Sequence, residues 1–139
     1  MAVISTAPFV LKDCIIQIGT DSYETAISTA RFVPSLNIVK AKGLTPASVY
    51  ADTDNPEWEV TISFLQDWST TNSLSQFLLA NAGTSKVVVF KPQGITTGKP
   101  IITATVTIVP GDIGGDQGAF ADATVTLPVT GQPVKTAAP

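Results

Sequence analysis

The chain has 139 residues, with eleven acidic against eight basic side chains for a net charge of −3, one cysteine and no histidine. That composition excludes a Ser-His-Asp or Cys-His nucleophile, an imidazole or multi-thiolate zinc site, and an internal disulfide. Hydrophobic residues make up 44% of the chain and charged ones only 14%, where soluble domains usually carry about a quarter charged, so much of the nominal surface is expected to lie against copies of the chain or a partner.

Met1–Val10 reads as an irregular arm interrupted by Pro8. It lacks the basic start and apolar stretch of a signal peptide, and retention in the cytoplasm, or exit by a route other than secretion, is expected. A strand follows over Lys12–Ile18, with Cys14 as a small buried apolar side chain in it. A second strand is expected over Arg31–Lys40. The segment Ala41–Pro56 is rich in turn formers and reads as a long connecting loop or an extended hairpin, with a strand at Val49–Thr53.

Asn55-Pro56 then opens the clearest strand of the first half, Glu57–Leu65, in which Trp58, Val60, Ile62 and Phe64 alternate with Glu59, Thr61 and Ser63. Leu74, Phe77 and Leu78 have helical spacing behind Thr71-Asn72-Ser73, and Asn81-Ala82-Gly83 supplies a stop, predicting one helix over Asn72–Ala82. Lys86–Lys91 is a further strand.

The run from Ile101 to Gly131 carries the strongest pattern. In Ile101–Val109, Ile102, Ala104, Val106 and Ile108 form one face and Thr103, Thr105 and Thr107 the other. The segment Ala119–Leu127 repeats the device, with Asp122, Thr124 and Thr126 opposite Ala121, Ala123, Val125 and Leu127. Between them lies the turn Pro110-Gly111-Asp112-Ile113-Gly114-Gly115. Gln132–Pro139 reads as a polar, proline-flanked tail. The whole predicts a mainly β fold, a β-sandwich or barrel capped by a single helix, with extended arms at both ends.

Site chemistry is sparse. Gly94–Pro100 has the glycine–lysine texture of a phosphate loop but is one residue short and places Pro100 where the metal-binding hydroxyl belongs, so it is a hairpin connection. Asp112 with Asp116, or Asp52 with Asp54 and Glu57, lack the ligand count and order of a calcium loop. No cofactor or metal is expected. The lysines are dispersed along the chain, and no basic patch for nucleic acid is visible.

Taken together, Pro34-Ser35-Leu36 through Gly43-Leu44-Thr45-Pro46, the strand Trp58–Trp68, the helix Ser73–Leu78 and the closing Ala123-Thr124-Val125-Thr126-Leu127-Pro128-Val129-Thr130-Gly131-Gln132-Pro133 resemble the major tail proteins of long-tailed, non-contractile bacteriophages. The likeness runs over nearly the whole chain. It implies one tail-tube domain over residues 1–139, with residues 1–10 as N-terminal arm and 132–139 as C-terminal tail.

It further implies a non-enzymatic virion protein, assembled in the host cytoplasm, whose hexameric rings stack into the tube through which DNA passes without specific binding. Tail terminator, tape measure and distal tail proteins are the implied partners, and no membrane is. Ring stacking is expected to use Lys42, Gly43, Leu44, Thr45, Tyr50, Asp52 and Asp54 with the two termini. Thr61, Ser63, Thr103, Thr105, Thr107, Thr124 and Thr126 are candidates for a wet or lumenal face. The competing readings are a β-sandwich adhesin or carbohydrate-binding module, with Trp68 and the loop Asp112–Gln117 facing a sugar, or another virion part such as a tail terminator or decoration protein.

Overall fold

The period-two alternation read above is the alternation of burial in the folded chain. The computed structural model describes residues 1–139 as mainly β, with antiparallel pairings and one helix. The strands are β1 (Ile15–Ile18), β2 (Asp21–Ser22), β3 (Ile27–Ser35), β4 (Ile38–Lys42), β5 (Val49–Thr53), β6 (Glu57–Leu65), β7 (Ser85–Lys91), β8 (Pro100–Thr107) and β9 (Asp122–Ala137), and α1 spans Leu74–Ala80.

Seven strands run in the order β2-β1-β7-β8-β9-β6-β3, and β4 and β5 form a separate two-stranded hairpin. The two halves of the seven-stranded array meet in β9. Its first half, Asp122–Pro128, pairs with β6. Its second half, from Val129 to Ala137, pairs with β8. One strand thus belongs to both layers, and the core lies between them.

Val60, Ile62 and Phe64 of β6, Val88 of β7, Val106 of β8, and Val125 and Leu127 of β9 fill that core together with Ile16, Ile18 and Ile108. The helix closes one end. Ser73 caps it, its hydroxyl accepting from the Gln76 amide at 3.5 Å, and Leu74 and Leu78 are buried. The Phe77 ring lies 5.7 Å from that of Tyr23.

Two expectations need correction. The single strand Arg31–Lys40 is two strands, broken at Leu36-Asn37. The ladder with β6 runs through Pro34 opposite Trp58 and stops at Ser35 opposite Glu57, and past it the Asn37 carbonyl accepts from the Asp54 amide at 2.9 Å, which starts the hairpin. The sequence left the partners of Ile101–Val109 and Ala119–Leu127 unassigned, and the structure gives each a different one, the loop between them crossing from one layer to the other.

Finally, residues 132–139 are extended but not a free tail. Thr103 pairs with Val134, Ile102 with Lys135, Ile101 with Thr136 and Pro100 with Ala137, and Ala138 is buried. Pro133, in the segment read as a proline-flanked tail, sits in a bulge. Gly131 (φ 80°) bends β9 there, so that Thr105 pairs with Thr130 while Thr103 pairs with Val134.

Candidate assembly surfaces

The turn-rich segment is a projecting hairpin, the second of the two alternatives left open by its sequence. Register pairs Ile38 with Thr53, Val39 with Asp52, Lys40 with Ala51, Ala41 with Tyr50 and Lys42 with Val49. Every residue of both strands is exposed. At the tip, the Gly43 amide donates to the Ser48 carbonyl at 2.7 Å, the Ser48 amide donates to the Thr45 carbonyl at 3.1 Å, and the hydroxyls of Thr45 and Ser48 are in contact. A Cβ on Gly43 would stand 2.7 Å from that of Ser48, which is why glycine holds this position.

All seven residues singled out for stacking lie on this element or at its foot. Lys42 ends β4, Gly43, Leu44 and Thr45 form the tip, Tyr50 and Asp52 sit on β5, and Asp54 closes the base. Leu44, Tyr50, Ile38, Val39 and Val49 are all exposed. The alternation also sorts charge: Lys40 and Lys42 share one face with Ala51 and Val49, and Asp52 and Tyr50 share the other with Val39 and Ala41. A lone two-stranded hairpin is marginally stable in water, and large exposed apolar patches are uncommon on monomers.

The hydroxyl candidates divide between two outer faces. Thr61 pairs with Thr126 and Ser63 with Thr124 on the outside of β6 and β9, beside Arg31, Glu59 and Asp122. Ser63 and Thr124 hydrogen bond at 2.9 Å. Thr103, Thr105 and Thr107 lie instead on the outside of β8, where the cross-strand neighbours of Thr103 are Val89 and Val134 and those of Thr105 are Val87 and Thr130. One face is therefore hydroxyl and charge, the other hydroxyl and aliphatic. Sequence alternation gave each strand's face but not which strands share one.

The features of the sugar-binding reading lie at the surface, where Trp68 and Asp112–Gln117 are exposed and are anchored to Gln66. The Trp68 indole N–H donates to Gln66 Oε1 at 3.1 Å, and Gln66 holds the long loop through the Gly114 carbonyl (2.8 Å), the Gly114 amide (3.0 Å) and the Asp122 carbonyl (2.7 Å). Trp58 is half-buried between the layers. Asp67 organises the approach to the helix. Hydrogen bonds from the Thr70 hydroxyl and amide and from the Ser69 amide lower its pKa to about 2. Cys14, half-buried, lies 3.4 Å from the Pro92 carbonyl, and burial followed by the charge of Asp13 raises its pKa. No helix is long and apolar enough to cross a membrane.

No protein-family model and no curated protein sequence matches the chain. Its fold is nonetheless found in solved particles. It superposes on a chain of the virion of the native gene transfer agent (GTA) particle with a TM-score of 0.61 and 12% identity, covering 87% of this chain and 95% of that one. A chain from the tail of an empty GTA particle, solved by helical refinement with C6 symmetry, superposes with a TM-score of 0.58 and 10% identity, covering 80% and 82%. The likeness is one of fold: a mainly β, antiparallel architecture with a single helix, shared with a chain of that tail.

Proposed function

We propose that this protein is a structural subunit of a phage-type tail, a tail tube protein whose copies close into six-membered rings that stack into a hollow conduit for DNA. The observation that carries the reading is the conjunction of a fold shared with a C6-symmetric tail and a hairpin with nothing of its own chain to cover it. A closing ring uses heterologous contacts, in which one face of a subunit meets a different face of the next, and stacking needs a second such pair. The hairpin supports this with a cationic and an acidic face, back to back. Lateral closure is supported by β3, whose ladder has β6 on one side and no strand on the other.

In this reading Lys42, Gly43, Leu44, Thr45, Tyr50, Asp52 and Asp54 join successive rings. A face of hydroxyls with an acid-leaning chain lets DNA slide, since gripping phosphates takes clustered lysine and arginine. Tail terminator, tape measure and distal tail proteins are the partners such a tube meets at its ends and in its lumen, and the role involves no catalysis.

Concentration-dependent assembly of the purified chain, followed by negative-stain electron microscopy, tests the proposal. Rings and tubes are expected, and replacing residues 38–53 by a short glycine-serine link is expected to leave folded subunits without tubes. A chain that stays monomeric at high concentration, or a hairpin-less variant that still makes normal tubes, counts against the role assigned.

A further inference from the structure

The two ends of the sandwich are finished differently. At one, α1 covers the core. At the other the layers part around a cleft of about 620 Å³, whose walls include Phe32 of β3, Trp58 of β6, Phe90 of β7, Ile102 of β8, and Pro133 and Lys135 of β9. Phe32 and Phe90 stack across it with ring centroids 6.0 Å apart. Lys135 is its one charged wall residue. The Trp58 indole nitrogen is buried without a hydrogen-bond partner, an N–H that lacks an acceptor.

The same molecule carries a segment with the complementary defects. Met1–Leu11 is exposed throughout, with Val3 and Ile4 almost fully so, and makes no backbone hydrogen bond with the rest of the chain. It has no charged side chain before Lys12. Phe9 and Leu11 lie at the rim of the cleft. The arm thus leaves its own subunit beside the opening, and eight extended residues reach at most about 26–29 Å beyond it.

We propose that the arm of one subunit, residues 2–8, seats in this cleft of a neighbouring subunit. Val3 and Ile4 pack against Phe32, Phe90 and Ile102, and a carbonyl of the arm accepts the Trp58 indole N–H. An extended backbone supplies apolar side chains and carbonyl acceptors in alternation, which is what this cleft lacks, and an uncharged segment suits walls with a single charge. The inference rests on the tube reading only in taking the neighbour to be another copy.

Cross-linking tests it. In a Cys14→Ser background, one chain carries Ile4→Cys and a second, affinity-tagged chain carries Lys135→Cys. The two are mixed, allowed to assemble, oxidised and run on a non-reducing gel, with electron microscopy in parallel. A tagged–untagged heterodimer in several-fold excess over either homodimer is expected, and it supports the docking whether or not tubes are seen. The heterodimer without rings or tubes sinks the tube reading alone. Tubes without it overturn the docking and leave the tube reading standing. Neither overturns both. If Ile4→Cys and Lys135→Cys in one chain give only a cyclised monomer, the arm occupies its own cleft and the exchange is refuted.

Discussion

Ser63 and Thr124 face each other across the β6–β9 ladder with their hydroxyls 2.9 Å apart, one row from the pair Thr61 and Thr126. The two rows make the outside of this layer a surface of paired hydroxyls whose bonds are partly spent on each other. Cross-strand pairs of this kind contribute about 0.2–1 kcal/mol. A double-mutant cycle with Ser63→Ala and Thr124→Val, read by urea denaturation, is expected to give a coupling energy in that range. Additivity of the two variants would show that each hydroxyl is satisfied by water alone.

Leu78 is the point at which α1 grips the core, with none of its surface exposed. The helix has only seven residues, too few to be stable by propensity, so its existence depends on this packing. Leu78→Ala is expected to cost about 2–5 kcal/mol, the range for emptying a buried leucine site. Leu79, half-exposed one residue on, is the control, and Leu79→Ala is expected to change the urea midpoint little.

Asp67 gives the fold a specific acid sensitivity. Its carboxylate accepts from Ser69 and Thr70, and its carbonyl accepts from the Ser73 hydroxyl at 2.5 Å, linking β6 to the helix cap. The folded pKa, about 2, lies below the ordinary aspartate value near 3.9. The stabilisation is therefore complete above about pH 4 and is lost as pH falls towards 2. The gap in urea midpoint between the native chain and Asp67→Ala is expected to be constant from pH 7 to 5 and to shrink below 4. A gap that grows on acidification would contradict the assignment.

Gly131 occupies a backbone conformation that side chains resist, φ 80°, at the bulge where β9 passes from β6 to β8. Gly131→Val is expected to destabilise by about 1–3 kcal/mol, and Gly131→Asn by less, because asparagine tolerates this region. Circular dichroism under urea measures both.

These positions mark what was legible in sequence. The phases of β6, β8 and the first half of β9 were readable because each has one buried face, and alternation records that directly. The hairpin was half-readable: turn formers announced it, but strands exposed on both faces carry no burial period, so β4 merged with β3. The end of β9 was hidden for a different reason. Pro128, Gly131 and Pro133 are ordinary stop signals, and only the layer crossing, a long-range fact, turns them into a bend. The cleft was invisible because its wall residues come from five strands far apart in sequence.

The hairpin's two faces allow a test that separates charge matching from mere exposure. Lys40 and Lys42 stand on one face and Asp52 on the other, so hairpins packed in series would set lysine against aspartate. Fully exposed lysines hold up nothing in their own subunit, and Lys40→Glu with Lys42→Glu is expected to leave the urea midpoint within about 0.5 kcal/mol of the native chain. Like charges would then meet across every junction, and tube yield by electron microscopy is expected to fall at low salt and recover partly at high salt as repulsion is screened. Adding Asp52→Lys restores opposite charges with the signs exchanged and is expected to rescue assembly at low salt. If the charge-reversed variant assembles as well as the native chain at low ionic strength, the two charged faces do not meet across the junction.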